Sequence, residues 1–186
     1  MSVRRDPKER VILKAATDTF IRYGYRRTKM ADIATACAMS RPALYLVFEN
    51  KEAIFRGVVE MMMEDALARI REELPRHRGL QDKLNHAFEI WTVQPYELIS
   101  RAPDAEELID HGKLGFVTDL YERGTTQFAS LLTSIIEDHG KTNRLKLDPL
   151  QTAELLVASA RGLKTTAKDV KDLRRLIRNL MMVCIP

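Results

Sequence analysis

Cysteine is scarce: Cys37 and Cys184 are the only two, near opposite ends of the 186-residue chain. Each lies in an apolar helical pattern, so both are expected to be small buried hydrophobes and not a disulfide. No apolar run approaches the roughly 20 residues of a membrane span. No apolar signal segment follows Met-Ser-Val-Arg-Arg, so a cytoplasmic chain with no membrane partner is expected. Strand-like alternation of apolar and polar residues is missing over any useful length, which predicts an all-α fold. Enzyme constellations are missing too: there is no Gly-rich phosphate loop, G-x-S-x-G, H-E-x-x-H or C-x-x-C. None of His77, His86, His111 and His139 follows a Glu by three residues, which excludes the paired E-x-x-H of di-iron bundles. No catalytic residue, metal site or cofactor is expected. Scattered histidines usually serve at surfaces or caps; His86 and His111 are also candidates for a polar patch in a pocket.

What is present is charge, unevenly placed. Met1–Arg56 carries twelve Lys/Arg and six Asp/Glu, a net of +6, while the remainder carries eighteen and twenty, a net of −2. Positive charge gathered in the N-terminal third suits contact with a polyanion, although charge alone equally fits a solvated surface. Arg4 and Arg5 fall in a segment that reads as a loose arm, able to reach a groove or phosphates, or as a disordered tail.

A first helix is predicted to open at Asp6-Pro7, with Asp6 at the N-cap, Pro7 in the first turn and Glu9 at the capping-box position. Ile12, Ala15, Ala16, Thr19, Phe20 and Tyr23 recur at helical spacing and form its apolar face. Gly24 ends it. Thr28 is expected to cap a second helix whose Ile33, Ala34 and Cys37 face inward. Thr28 and Lys29 lie at a helix N-terminus, where unpaired amides attract phosphate, and each is open between phosphate contact and plain capping. Ala38-Met39 makes a turn, and Ser40 caps a third helix with Pro42 in its first turn. Leu44, Val47 and Phe48 point to the core, leaving Arg41, Pro42, Ala43, Tyr45 and Leu46 outside. Arg41 can fork two hydrogen bonds to guanine or phosphate, and Tyr45 can donate to a phosphate. Pro42, Ala43 and Leu46 offer apolar contact, as with a thymine methyl.

The run Asp32-Ile33-Ala34-x-x-Cys37-Ala38-Met39-Ser40-Arg41-Pro42-Ala43-Leu44-Tyr45-x-x-Phe48-x-Asn50-Lys51-Glu52-Ala53-Ile54 resembles the DNA-binding signature of TetR-family transcriptional regulators. Together with the first helix the resemblance covers about the first fifty-five residues. Ala38 and Pro42 stand where that family often has Gly. The resemblance implies an N-terminal three-helix helix-turn-helix domain, residues 1–50. It also implies a larger helical ligand-binding and dimerisation domain, residues 51–186, for about nine helices in all. It implies, further, that Tyr45 and Lys51 contact backbone phosphates, Lys51 from the start of a fourth helix.

Beyond that helix (about Lys51–Leu74, stopping before Pro75), helices are predicted at Leu80–Val93, Asp104–His111, a long stretch ending at Gly140, Pro149–Ala167 and Asp169–Cys184. Gln94-Pro95 is expected to disturb the first of these. Phe88, Trp91, Tyr96, Phe116, Tyr121 and Phe128 are pocket candidates, because ligand cavities are mostly apolar and aromatic, and ordinary core is the alternative for each. Met62, within Met61-Met62-Met63, is open in the same way between pocket lining and adaptable core filling. The last two helices carry apolar stripes through Leu156, Ala160 and Leu163 and through Leu173, Leu176, Ile177 and Leu180. A stripe alone does not separate a dimer seam from an intramolecular core; the resemblance implies a four-helix homodimer seam. Lys164, Lys168, Lys171, Arg174, Arg175 and Arg178 are expected on the solvated side.

The expected function is a dimeric repressor on a palindromic double-stranded DNA operator, released by a small, largely apolar effector. A helical ligand-binding or catalytic domain with only a basic tether is one alternative. A similar regulator that activates, or that has no small-molecule effector, is the other.

Overall fold

The Asp6 side chain accepts from the Lys8 amide at 2.8 Å and Pro7 opens the first turn, so α1 (Pro7–Arg27) begins where its capping residues place it. The computed structural model describes residues 5–101, 114–140 and 147–185, with Ile99 described by its backbone alone. Three further helices follow: α2 (Met30–Ala36), α3 (Arg41–Tyr45) and α4 (Lys51–Glu73). After a 3-10 turn at Leu74–Arg76 come α5 (Leu80–Phe88) and, through a π-helical turn at Glu89–Val93, α6 (Gln94–Ser100). A 3-10 turn at Gly115–Val117 leads into α7 (Thr118–Glu137), and α8 (Pro149–Thr166) and α9 (Val170–Cys184) complete the chain. No strand occurs among the described residues. The chain divides into two compact units: Met1–Glu64 with Arg101–Tyr121, and Asp65–Ser100 with Glu122–Pro186, each characterised through its described residues.

In the first unit, Ile12, Leu13, Ala16 and Phe20 of α1 are buried with Ile33, Leu44, Ile54, Phe55 and Val58. Burying each of the larger of these side chains contributes about 1.5–3 kcal/mol. Gly57 allows α4 to approach α1 closely, since a Cβ there would stand 2.8 Å from Leu13 Cδ2. Four rings gather beside this core: Phe55 lies 5.1 Å from Phe20, 4.8 Å from Tyr25 and 5.9 Å from Phe116, centre to centre. Arg56 forks onto Asp119 at 2.9 and 2.8 Å and donates to the Phe116 carbonyl, holding the start of α7 against α4. Tyr121 is half-buried here, and its partial desolvation pushes its phenol up to about 12.

The second unit has its own core, running from Leu67 and Ile70 through Leu84, Phe88, Phe128 and Leu132 to Leu156, Leu173, Ile177 and Met181. Asp148 caps α8 by accepting from the Gln151 amide at 2.8 Å, and Asp169 caps α9 by accepting from the Asp172 amide at 2.7 Å. Cys184 is buried and Cys37 half-buried, both as free thiols.

Several local expectations are corrected. Gly24 has φ 74° and ψ 162°, a conformation closed to side-chain-bearing residues, but it breaks the helix without ending it, and a further turn runs to Arg27. Tyr23 leaves the apolar face and stands 44% exposed, while Tyr25 joins the ring cluster in its place. Gln94-Pro95 does not interrupt the α5–α6 rod. Pro95 has no N–H and would crowd the carbonyl one turn back; the wider π turn, in which the Gln94 amide bonds Glu89 O, takes up that strain. Phe116 lies in the 3-10 turn that precedes α7. The helix expected at Asp104–His111, and with it His111, lies outside the described residues.

Candidate nucleic-acid interface

The turn between α2 and α3 is made by Ala38, whose φ of 52° is the one positive value at a non-glycine among the described residues. That left-handed residue reverses the chain tightly enough to place Ser40 at the N-cap of α3. There its hydroxyl accepts from the Ala43 amide at 3.3 Å. Leu44 at 0% exposure and Phe48 at 7% fix the inner face of α3 on the three-helix core, with Val47 half-buried beside them. The opposite face then has nowhere to go but solvent. Arg41 and Pro42 are exposed, Ala43 is half-buried, Tyr45 is 45% exposed and Leu46 is 87% exposed. Arg26, Arg27 and Lys29, also exposed, add positive charge from the end of α1 and the start of α2. A short helix with a guanidinium, a phenol and an apolar tip on its free side is dimensioned for a DNA major groove.

Three residues of the first unit stand apart from this surface. Thr28 is 1% exposed and its hydroxyl donates to Gly24 O at 2.7 Å, so it neither caps α2 nor meets a phosphate. The N-cap is Lys29, whose amide is received by the Asp32 carboxylate at 2.7 Å. Lys51 is turned inward. Its ammonium donates to Tyr25 O at 2.6 Å and Thr28 O at 2.8 Å, with the Tyr25 ring centre 4.3 Å away. It thus satisfies carbonyls left open where α1 ends. Arg5 is tied to α4 through Glu60 at 2.8 Å and Glu64 at 3.3 Å, with its side chain 12% exposed; it is no free arm. Arg4 lies outside the described residues.

In the second unit, Trp91 stacks on Phe128 at 4.7 Å and 11°, and Phe88 meets Phe128 edge-on at 5.2 Å. Tyr96 is half-buried on the same core and donates to Ala167 O at 3.4 Å. These four pocket candidates are brought together, Phe88, Trp91 and Phe128 as rings packed on one another and Tyr96 against the same core. Met62, Phe116 and Tyr121 belong to the first unit. A cleft of about 420 Å³ opens elsewhere on this unit, between α5 with its π turn and α9. Its lining is polar and includes His77, Asn85, His86, Arg174 and Arg178. Sequence periodicity could not find it, because these residues sit on three separate segments.

Of the residues expected at a dimer seam, Leu156, Ala160, Leu173 and Ile177 are 0–2% exposed within their own subunit and form its core. Leu163, Leu176 and Leu180 are half-buried. The free apolar groups on the same two helices are Leu150, Leu155, Met182 and Val183, at 40–65% exposure. Of the basic run, Arg174 forks onto Glu89 and Arg175 onto Asp172, while Lys168, Lys171 and Arg178 face solvent.

A three-helix core that presents a capped short helix outward behind a tight left-handed turn is a helix-turn-helix DNA-binding domain. Residues 12–58 match the family described as bacterial regulatory proteins, tetR family. The HTH-type transcriptional regulator UidR of Escherichia coli is 35% identical over 74 residues, 40% of this chain and 38% of that protein. The match thus spans little more than a third of that relative's length. The uncharacterized HTH-type transcriptional regulator YhgD of Bacillus subtilis is 24% identical over 155 residues, 81% of this chain and 78% of that one. Among solved structures, the fatty acid degradation regulator FadR from Bacillus halodurans superposes with TM-score 0.72 at 19% identity, covering 97% of this chain and 96% of that one. A transcriptional regulator from Saccharomonospora viridis in complex with choline gives 0.75 at 20% identity, covering 96% and 97%. The N-terminal domain matches the TetR family of transcriptional regulators over residues 12–58, and the whole chain has the fold of solved regulators of that kind.

Proposed function

We propose that the protein is a dimeric repressor that binds a near-palindromic operator and is released from it by a small-molecule effector taken up in the second unit. The observation that carries this reading is the free face of α3: Arg41, Tyr45 and Leu46 are exposed while Leu44 is wholly buried. Arg41 and Tyr45 serve as polar contacts to base edges and phosphates, Pro42, Ala43 and Leu46 as apolar ones, and Ser40 and Lys29 flank them. Lys51 acts by fixing the end of α1, on which the seat of α2 depends.

The dimer seam supported best is the outer flank of α8 and α9, not their buried stripes. Leu155, Ala158 and Gly162 recur on α8, where a Cβ added at Gly162 would meet open space, and Leu176, Leu180 and Val183 recur on α9. A two-fold axis through such a flank relates two α3 helices, which fit one duplex when about 34–36 Å apart or a multiple of this. The effector lifts repression only to the extent that it binds better to a state with different spacing. That a structural neighbour was solved in complex with choline supports a small-molecule effector.

Selection from a random duplex pool tests the reading. Enrichment of one two-fold symmetric site bound by two chains is expected. Recovery of unenriched DNA, bound equally by Arg41→Ala and Tyr45→Phe, would leave only a basic tether.

A further inference from the structure

We infer that the centre of the α3 face reads the methyl group of a 5-methylpyrimidine, so that each half-site carries a thymine or a methylated cytosine against Pro42 and Leu46. The inference rests on the reading of α3 as the base-contacting helix and names what that helix reads. At about 100° per residue round a helix, Leu44, Val47 and Phe48 gather about one direction, and Pro42 and Leu46 fall within about 30° of the opposite one. Leu46 keeps the helical φ of −70° and ψ of −20°, and its amide donates to Pro42 O at 3.1 Å, so the two stand one turn apart on one stripe. Burial agrees with this geometry. Leu44 at 0% and Phe48 at 7% pin the helix to its core, and Leu46 at 87% is the most exposed large apolar side chain among the described residues. Tyr45 and Ala43 flank the stripe, and Arg41 extends from the N-terminal end.

One exposed leucine is ordinary on a protein surface. Two observations give this one an occupant. The same unit exposes Arg26, Arg27, Lys29 and Arg41, in a third of the chain whose net charge is +6, which suits a polyanion and opposes an apolar partner. In addition, the side chains of Pro42 and Leu46 carry no hydrogen-bond donor or acceptor, and proline lacks an amide N–H as well. The part of α3 that enters deepest thus has no hydrogen bond to offer a base edge. Of the groups a base pair shows in the major groove, only the pyrimidine 5-methyl is apolar. Hydrogen bonds are then made from the flanks of α3, and methyl desolvation is read at its centre.

Selection by the full chain from two random duplex pools, one with thymine and one with deoxyuridine in its place, tests this. An operator selected from the thymine pool is then altered one base at a time. Deoxyuridine at one or two adjacent positions of a half-site should weaken binding about fourfold for each methyl lost, and about fifteenfold when both half-sites lose one. At those positions 5-methylcytosine should bind about fourfold more tightly than cytosine. That arm separates a methyl from the thymine O4, for which methylation of cytosine would bring no gain. Leu46→Ala should bind thymine and deoxyuridine operators nearly alike, with an unchanged melting temperature because the side chain is exposed. Leu46→Met, which keeps an apolar tip, should retain the preference. Equal binding of thymine and deoxyuridine operators by the wild type overturns the inference and leaves the operator reading standing. So does a preference that Leu46→Ala keeps in full, or a weakening spread evenly over every thymine, which would report duplex deformability. If neither pool enriches a sequence, both readings fall. An enriched site that shows the methyl preference without two-fold symmetry would sink the dimeric reading alone.

Discussion

Lys51 separates two roles that the family resemblance and the geometry assign differently, and Lys51→Met tells them apart. Methionine keeps the stem and deletes the ammonium. Two short hydrogen bonds from a charged donor, at 2.6 and 2.8 Å, are lost, with a longer one to Arg26 O at 3.4 Å and the contact with the Tyr25 ring at 4.3 Å. Charged hydrogen bonds contribute about 1.5–3 kcal/mol each and an exposed cation–π contact about 0.5–1 kcal/mol. The site is only half-buried, so regained hydration offsets a good part of that sum. A net loss of about 2–3 kcal/mol remains, a fall in melting temperature of about 4–12 °C for a chain of this size. Urea titration should show the lower midpoint with an unchanged slope. Operator affinity should keep its salt dependence, because no phosphate contact is removed. A lysine bound to phosphate would behave the other way, with stability intact and the salt slope smaller by about 0.9. That second pattern would refute the clamp.

Three other outcomes follow from the backbone and from His86. Gly24→Ala forces a side chain into φ 74°, ψ 162° and should cost about 1–3 kcal/mol in denaturant titration. Ala38→Gly should stabilise by up to about 1 kcal/mol, since relief of left-handed strain of about 1–2 kcal/mol exceeds the entropic cost of glycine. His86 titrates below its ordinary value of 6.5 in the folded chain, chiefly because it is buried and then because of His77. The unfolded chain therefore takes up the proton first, and the contribution of His86 to stability is full above about pH 6.5 and falls as the solution is acidified through the folded value. Glu73 and Asp172 are lowered from carboxylate values and so act at more acid pH. Melting curves of wild type and His86→Gln should converge or cross as the pH falls below about 6.5.

Much of the first unit was legible because its signals are local. Asp6, Pro7 and Ser40 act within three residues of themselves, and the apolar spacing of Leu44 and Phe48 tells which face of α3 remains outside. Thr28 and Lys51 were misplaced because their partners are set by the tertiary approach of α1 to α4. A threonine before a helix looks like a cap until Gly24 O arrives within reach of its hydroxyl. In the second unit an apolar stripe has the same period whether it faces its own core or a partner, so Leu156 and Leu173 could not be told from a seam. The aromatic candidates divide between the two units for a related reason: Phe116 and Tyr121 precede a boundary that no composition change marks. The π turn needed Pro95 and a count of the hydrogen-bond ladder together.

The central claim is that the outward face of α3 reads base pairs, and Arg41 carries it. Binding of wild type and Arg41→Ala should be compared on the selected operator and on all single-base variants of one half-site, at one salt concentration. The account predicts that Arg41→Ala loses about 1–3 kcal/mol of discrimination at one position and little elsewhere. Equal weakening on every sequence, or no change at all, would contradict it.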